Sequence, residues 1–184
     1  MGTKRVGLAR TEALIENLRR EISGFRTETQ YLTTTADHDL SALTGNTTVV
    51  VNASLAAGKF IRLPEATTAN GGMHIRVIFG LAPAAQCKVG FVTTKIVGGA
   101  TSISDATEGH ASTNPALKSS AVGTSNLRVE LDVDEAARAG GHPGTVLDFY
   151  YHGVENQVLY RGNLIGDVDT PTLADHFSTT AVNA

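Results

Sequence analysis

The stretch GNTTVVVNASLAAGKFIRLPEATTANGGMHIRVIFG at residues 45–80 decides the fold. It contains three runs rich in β-branched and aromatic residues, at residues 47–52, 59–63 and 74–79, and Gly, Pro or Asn residues lie between them. Runs of this length and composition, separated by turn-forming residues, are typical of short β-strands. The stretch therefore predicts three strands with no helix between them.

The same pattern continues toward the C-terminus in four further runs, at residues 88–97, 126–133, 145–151 and 157–161. About seven strands without intervening helices indicate a mainly β fold, an antiparallel β-sandwich or jelly-roll-like body in which two sheets bury alternating faces. Aromatic residues make up only 5% of the chain, and Trp is absent. Small side chains suit close-packed β layers better than an aromatic-lined ligand pocket.

One helical pattern precedes the β body. Thr11 is placed to cap a helix over residues 12–23, and Gly24 is placed to end it. An isolated helix of this length is marginal in water, so it needs a partner surface. It either lies on its own domain or forms a self-association stem that clamps a neighbouring subunit. Five apolar residues follow a heptad spacing along it: Leu8, Ile15, Leu18, Ile22 and Phe25.

The chain divides into three predicted parts. Residues 1–45 form the N-terminal helix and an extended arm, since the segment after the helix is polar and lacks periodicity. Residues 46–165 form the β-sandwich body. Residues 166–184 form a C-terminal arm, in which Leu173 and Phe177 lie four residues apart and are expected to dock on a neighbouring surface.

Two stretches of the body are long and irregular, at residues 98–125 and 134–144. Loops of this length are uncommon in compact domains unless they bind a partner, order against one or are disordered. We therefore expect them to contribute contact surfaces.

The net charge, the cysteine count and the distribution of apolar residues argue against several classes of partner. The net charge of −3 and pI near 6.0 give no broad positive field, so nucleic acid is not an expected partner. Cys87 is the only cysteine and cannot form an intramolecular disulfide. No stretch approaches the roughly 18 apolar residues needed to span a bilayer, so no membrane partner is expected either.

The sequence carries no recognisable catalytic motif. The six histidines are scattered, and no pair has the one-turn helical spacing of a metalloprotease helix. Neither a glycine-flanked nucleophilic serine nor a Walker-type phosphate loop is present. Carboxylates spaced by one residue, such as Asp37 and Asp39, do not continue into a calcium loop. We therefore expect no enzymatic activity, no cofactor and no metal site.

The short motif Ala-Asp-His occurs twice, at residues 36–38 and 174–176. One interpretation is a local turn in which the Asp caps and orients the His. The other is a metal site shared between subunits, or a contact that responds to pH. The motif alone leaves both open.

Two segments resemble known phage proteins. The opening MGTKRVGLARTEALIENL at residues 1–18 resembles a beginning shared by structural proteins of marine phages, especially those that infect cyanobacteria. The segment KFIRLPEAT at residues 59–67 resembles the strand followed by Leu-Pro-x-Ala-Thr of phage head-decoration and fibre β modules. The resemblance covers the first 18 residues and roughly residues 45–166. It implies a homo-oligomer, often a trimer, on the outside of an icosahedral head, with arms that contact the shell and no active site.

The expected function is therefore that of a virion structural protein that decorates or cements the outside of a phage head. Its expected partners are copies of itself and the major capsid protein, and its expected location is the outer capsid surface after assembly in the host cytoplasm. The alternative is a head or tail fibre module that binds a host receptor or glycan. Seven residues are candidates for self-association or capsid contact: Leu8, Ile15, Leu18, Ile22, Phe25, Leu173 and Phe177.

Overall fold

The computed structural model describes residues 12–15, 27–105, 116–119, 125–135, 137–166 and 175–183. Residues 12–15 are α-helical, and Thr68–Asn70 form a 3-10 turn. The described residues contain these strands: β1 (Glu28–Leu32), β2 (His38–Asp39), β3 (Thr47–Val51), β4 (Phe60–Arg62), β5 (His74–Phe79), β6 (Cys87–Gly90), β7 (Lys95–Asp105), β8 (Ala116–Ser119), β9 (Arg128–Leu131), β10 (Val146–Tyr150), β11 (Gln157–Gly166) and β12 (Phe177–Ser178).

The strands form two sheets that pack into a sandwich. The seven-stranded sheet has the order β1-β3-β5-β10-β11-β7-β8, and the five-stranded sheet has the order β12-β9-β6-β4-β2. Apolar side chains from both sheets belong to one buried cluster. The predicted mainly β fold is confirmed.

Strand directions are mixed rather than uniformly antiparallel. From β1 to β6 the chain alternates between the sheets, with odd-numbered strands in the large sheet and even-numbered strands in the small one. Neighbours within each sheet are therefore parallel, as in the pairs β1-β3, β3-β5 and β4-β6. Each crossover that a parallel pair needs is here a strand of the opposite sheet. The later strands form antiparallel pairs such as β10-β11 and β6-β9.

Buried and exposed side chains alternate along the strands, and the buried ones form the core. In β11 every second residue from Val158 to Gly166 is buried, as period-2 side-chain geometry requires when one face of a sheet is covered. The large side chains that fill the space between the sheets are fully buried: Phe79, Phe91, Phe149, Tyr151, Ile61, Ile75, Ile96, Leu131, Leu147 and Leu164.

The body begins before residue 46. Residues 27–45 were predicted to be an arm, yet β1 pairs in register with β3 and β2 pairs with β4. Two side chains from this segment, Leu32 and Leu40, are buried in the core. A strand that buries a single side chain shows no alternation, so the sequence pattern could not identify it.

Two predicted boundaries were also wrong. The run at residues 88–97 is divided, because β6 ends at Gly90 and β7 begins at Lys95. Between them the carboxylate of Glu65 accepts hydrogen bonds from the backbone N–H groups of Val92, Thr93 and Thr94, which holds a tight turn. The predicted loop at residues 98–125 instead begins as strand, since β7 extends to Asp105 and pairs with β11.

The lone thiol is a core group. Cys87 is completely buried and packs as a small hydrophobic residue, and burial raises the pKa of its thiol to about 12. Among the residues that the structure describes, no helix is long and apolar enough to cross a membrane.

Candidate contact surface

The large sheet exposes a face that combines apolar, aromatic and charged side chains. On β5 the residues Ile75, Val77 and Phe79 point into the core, so the residues between them point outward. The same alternation applies to β1, β3, β10 and β11. We define the outer face as these ten residues: Tyr31, Val50, His74, Arg76, Ile78, Val146, Asp148, Tyr150, Leu159 and Arg161.

An ionic cluster lies at the centre of the outer face. Asp148 accepts hydrogen bonds from Arg76 Nε at 2.7 Å and Arg76 Nη2 at 3.2 Å, and its Oδ1 lies 2.8 Å from His74 Nε2. Across the β5-β10 pair, Arg76 lies directly opposite Asp148, and His74 lies diagonally from it. Burial alone would raise the pKa of Asp148, but the hydrogen bonds from Arg76 and His74 outweigh that effect and lower it. The carboxylate is therefore a fixed anion at neutral pH.

A stacked aromatic pair stands beside this cluster. The rings of His74 and Tyr150 are parallel within 2° with centroids 4.6 Å apart, and the two residues are cross-strand partners. Leu159 on β11 is the cross-strand partner of Tyr150 on the side away from His74, and it is 42% exposed. Packing between these neighbours fixes the Tyr150 ring, so it can be buried by a partner at a small cost in side-chain entropy.

An apolar row borders the ionic cluster. Tyr31, Val50, Ile78 and Val146 are in register across β1, β3, β5 and β10. Tyr31 is 63% exposed, and the other three side chains are half-buried. The row is therefore a continuous apolar strip that reaches the edge of the sheet.

Arg161 completes the face. It lies opposite Asp148 on the β10-β11 pair and is exposed. The carboxylate of Asp148 is already engaged by Arg76 and His74, and Arg161 has no ion-pair partner in the described part of the chain. Its guanidinium can therefore bind an external anion.

A shallow cleft of about 320 Å³ opens next to His74. The amide oxygen of Asn46 accepts a 2.8 Å hydrogen bond from the His74 N–H and links the cleft to the sheet. Eight residues line the cleft, and most of them are small or polar: Thr44, Gly45, Asn46, Ala69, Asn70, Gly71, Gly72 and Met73. The lining offers hydrogen-bonding groups beside the apolar side chain of Met73.

The contact residues expected from the sequence lie elsewhere. Ile15 is in the short helix at residues 12–15 and is 46% exposed. Phe177 is half-buried and packs against the chain's own core, and its contact with a neighbour stays a prediction. The remaining five lie outside the described residues: Leu8, Leu18, Ile22, Phe25 and Leu173.

In the described residues of the two Ala-Asp-His motifs, neither Asp side chain bonds to the ring of the following His. Asp37 contacts the backbone N–H of Phe60 and the ammonium of Lys59. The ring of His38 instead lies 3.0 Å from the backbone carbonyl of Thr34. The ring of His176 is buried and contacts strands of the body rather than Asp175.

Sequence reasoning missed the outer face because its members come from five strands. The signal was present within single strands, where apolar residues occupy outward positions of an alternating pattern, as Ile78 and Val146 do. Among the described residues, no group of three or more His, Cys, Asp or Glu side chains is placed to hold a metal ion.

The fold and this surface define a two-sheet β-sandwich with one mixed apolar and charged face. Comparison with protein-family models, curated proteins and solved structures gives no match.

Proposed function

We propose that this protein is a virion structural protein that decorates the outside of a phage head and contacts capsid subunits through the outer face. The observation that carries the proposal is the placement of Tyr31, Tyr150, Arg76 and Arg161 among half-buried β-branched side chains on a rigid sandwich. Tyr and Arg are enriched among the residues that dominate protein interface energies. The sequence resemblance supplies the phage context.

The charge of the outer face indicates the chemistry of the partner. The chain carries a net charge of −3, whereas this face presents two arginines, Arg76 and Arg161, against one acidic residue, Asp148. Complementary charge on a partner accelerates encounter and fixes register. We therefore infer an acidic surface on the capsid subunit, whose carboxylates reach Arg161 while apolar groups cover the row from Tyr31 to Val146.

Binding to the assembled shell would stabilise that shell by mass action. A protein that binds the assembled shell and not its free subunits stabilises the shell by an amount that grows with its free concentration and affinity. Oligomerisation, expected as a trimer from the resemblance, would add avidity because several outer faces could bind one shell at once. No catalytic step is needed for this role.

The composition of virions provides the first test. Quantitative mass spectrometry of purified particles of the virus that encodes the chain gives its ratio to the major capsid protein. A ratio on the order of one supports head decoration, since each shell subunit then has a partner. A few copies per particle would favour the fibre alternative, and absence from the particles would refute a virion role.

Substitutions on the outer face test the surface directly. We expect Leu159→Asp and Arg161→Glu each to weaken binding to purified capsids about tenfold or more, because each removes an exposed anchor and adds negative charge facing an acidic partner. Fluorescently labelled protein and capsid sedimentation measure the occupancy.

Val154→Asp is the matched control, because Val154 is 46% exposed and lies in the turn between β10 and β11, off the outer face. Its capsid occupancy should equal that of the unsubstituted chain. Equal occupancy for all three variants would exclude the outer face as the contact surface.

A further inference from the structure

The C-terminal segment, residues 175–183, closes one open side of the sandwich. Through β12 it adds to the edge of β9, where the Leu127 N–H donates to the Ser178 carbonyl at 2.7 Å and the Glu130 N–H donates to the His176 carbonyl at 2.8 Å. Further along, Val182 is fully buried and its N–H donates to the Phe91 carbonyl at 2.8 Å. The segment is thus attached to the body at both ends.

His176 is a buried polar side chain of this segment, with 1% of its surface exposed. Its Nδ1 lies 3.1 Å from the Glu130 backbone carbonyl, and its Nε2 lies 3.2 Å from the Tyr160 hydroxyl. Because a carbonyl can only accept, these contacts select the neutral tautomer with the proton on Nδ1 and with Nε2 accepting from Tyr160. The hydroxyl lies close above Gly162, where an added Cβ would collide with it.

The surroundings do not supply a free counter-ion for a protonated ring. Phe177 packs on the imidazole at 4.7 Å between centroids, and the ring of Tyr160 lies at 6.2 Å. Within the described residues, the acidic side chains nearest this site are already paired with arginines: Glu130 with Arg128 and Arg138, Asp175 with Arg138, and Asp148 with Arg76. A positive charge on the ring would therefore be buried with no unpaired carboxylate beside it.

We propose that residues 175–183 form an acid-releasable strap in which protonation of His176 detaches the segment from the body. Release uncovers the edge of β9 and the ring of Tyr160, against which Phe177 of the segment packs. An uncovered strand edge accepts a strand from another chain. The strap thus couples acidity to a new surface for association between copies.

The direction of the pH effect follows from linkage. Burial lowers the pKa of His176 from its ordinary 6.5 to about 4, although the carbonyl and charge of Glu130 oppose the shift. The neutral ring favours the docked strap, so docking is fully stabilised above about pH 6.5 and weakens as the pH falls toward about 4. The ratio of released to docked strap should rise by up to about tenfold per pH unit and approach a limit of roughly 300-fold below about pH 4.

A single tryptophan can report the release. The chain has no Trp, so Phe177→Trp places the only indole on the strap, next to His176. We expect its emission to shift to longer wavelength between about pH 6.5 and about pH 4. Cys87, which is fully buried, should stay unreactive toward a thiol reagent active in acid, because the body remains folded. Hydrogen exchange over residues 175–183 of the unsubstituted chain gives the same readout without the probe.

Two variants in the Phe177→Trp background assign the transition. His176→Gln should abolish it, since the side chain no longer titrates, whereas His152→Gln, at an exposed position, should keep it. Persistence of the transition in His176→Gln would overturn the proposal. So would the absence of any transition, or labelling of Cys87 over the same pH range, which would mean that the whole body opens.

Discussion

Replacing Glu130 with alanine is expected to lower the free energy of unfolding by about 3 to 5 kcal/mol, because it removes a buried carboxylate that forms ion pairs with two arginines. The Glu130 side chain is only 6% exposed and Arg128 is 9% exposed. Its two carboxylate oxygens bind Arg128 and Arg138, and Gln86 donates a further hydrogen bond at 2.6 Å. The substitution therefore removes an acceptor that three side chains share.

The loss of stability in Glu130→Ala is expected to become smaller as the pH falls. Burial would raise the pKa of Glu130, but the hydrogen bonds and charges of Arg128 and Arg138 outweigh burial and lower it below 4.5. The stabilisation from the ionised carboxylate is therefore complete above about pH 4.5 and is lost as the pH falls through the folded-state pKa. Urea unfolding should show the difference between the native chain and Glu130→Ala shrinking in that acidic range.

Two controls separate a buried network from surface charge. Lys59 and Asp37 form an ion pair at 3.2 Å with both side chains 38% exposed, so Lys59→Ala should cost less than about 1 kcal/mol. In a double-mutant cycle, Arg128→Ala with Glu130→Ala should cost less than the sum of the single changes. Additive losses would show that the two side chains do not interact in solution.

The strands of the body were predictable where they bury several side chains. Each of the seven runs chosen from the sequence contains or overlaps an observed strand, because β-branched residues at alternating positions bury one face in the core. β2 and β12 were missed because each has only two residues. β1 was missed because its one fully buried side chain is Leu32, and the partner strands that bury it are distant in sequence.

Strand direction and the contact surface could not be predicted for a related reason. Alternation has the same period in parallel and antiparallel strands, so it does not report that the chain changes sheets between β1 and β6. Arg76 and Asp148 meet although they are 72 residues apart. Only the pairing of β5 with β10 brings them together, and no local pattern encodes that pairing.

The register of β10 separates a core residue from an outer-face residue. Phe149 is fully buried in the middle of β10, and its ring meets Phe91 at 5.7 Å in an edge-to-face arrangement and Tyr160 at 5.4 Å. Phe149→Ala should therefore lower the free energy of unfolding by about 3 to 5 kcal/mol, since it removes these contacts and leaves a cavity between the sheets. Phe149→Leu, which keeps most of the volume, should cost about 1.5 kcal/mol or less.

The neighbouring aromatic residue is the matched control. Tyr150 follows Phe149 on the same strand but points to the outer face, where it is 37% exposed and stacks on His74. Tyr150→Ala should cost only about 1 kcal/mol in urea unfolding, while it weakens capsid binding. Because a shift of one residue in strand register moves every side chain to the opposite face, a reversed order of these two losses would contradict the sandwich register and the contact surface together.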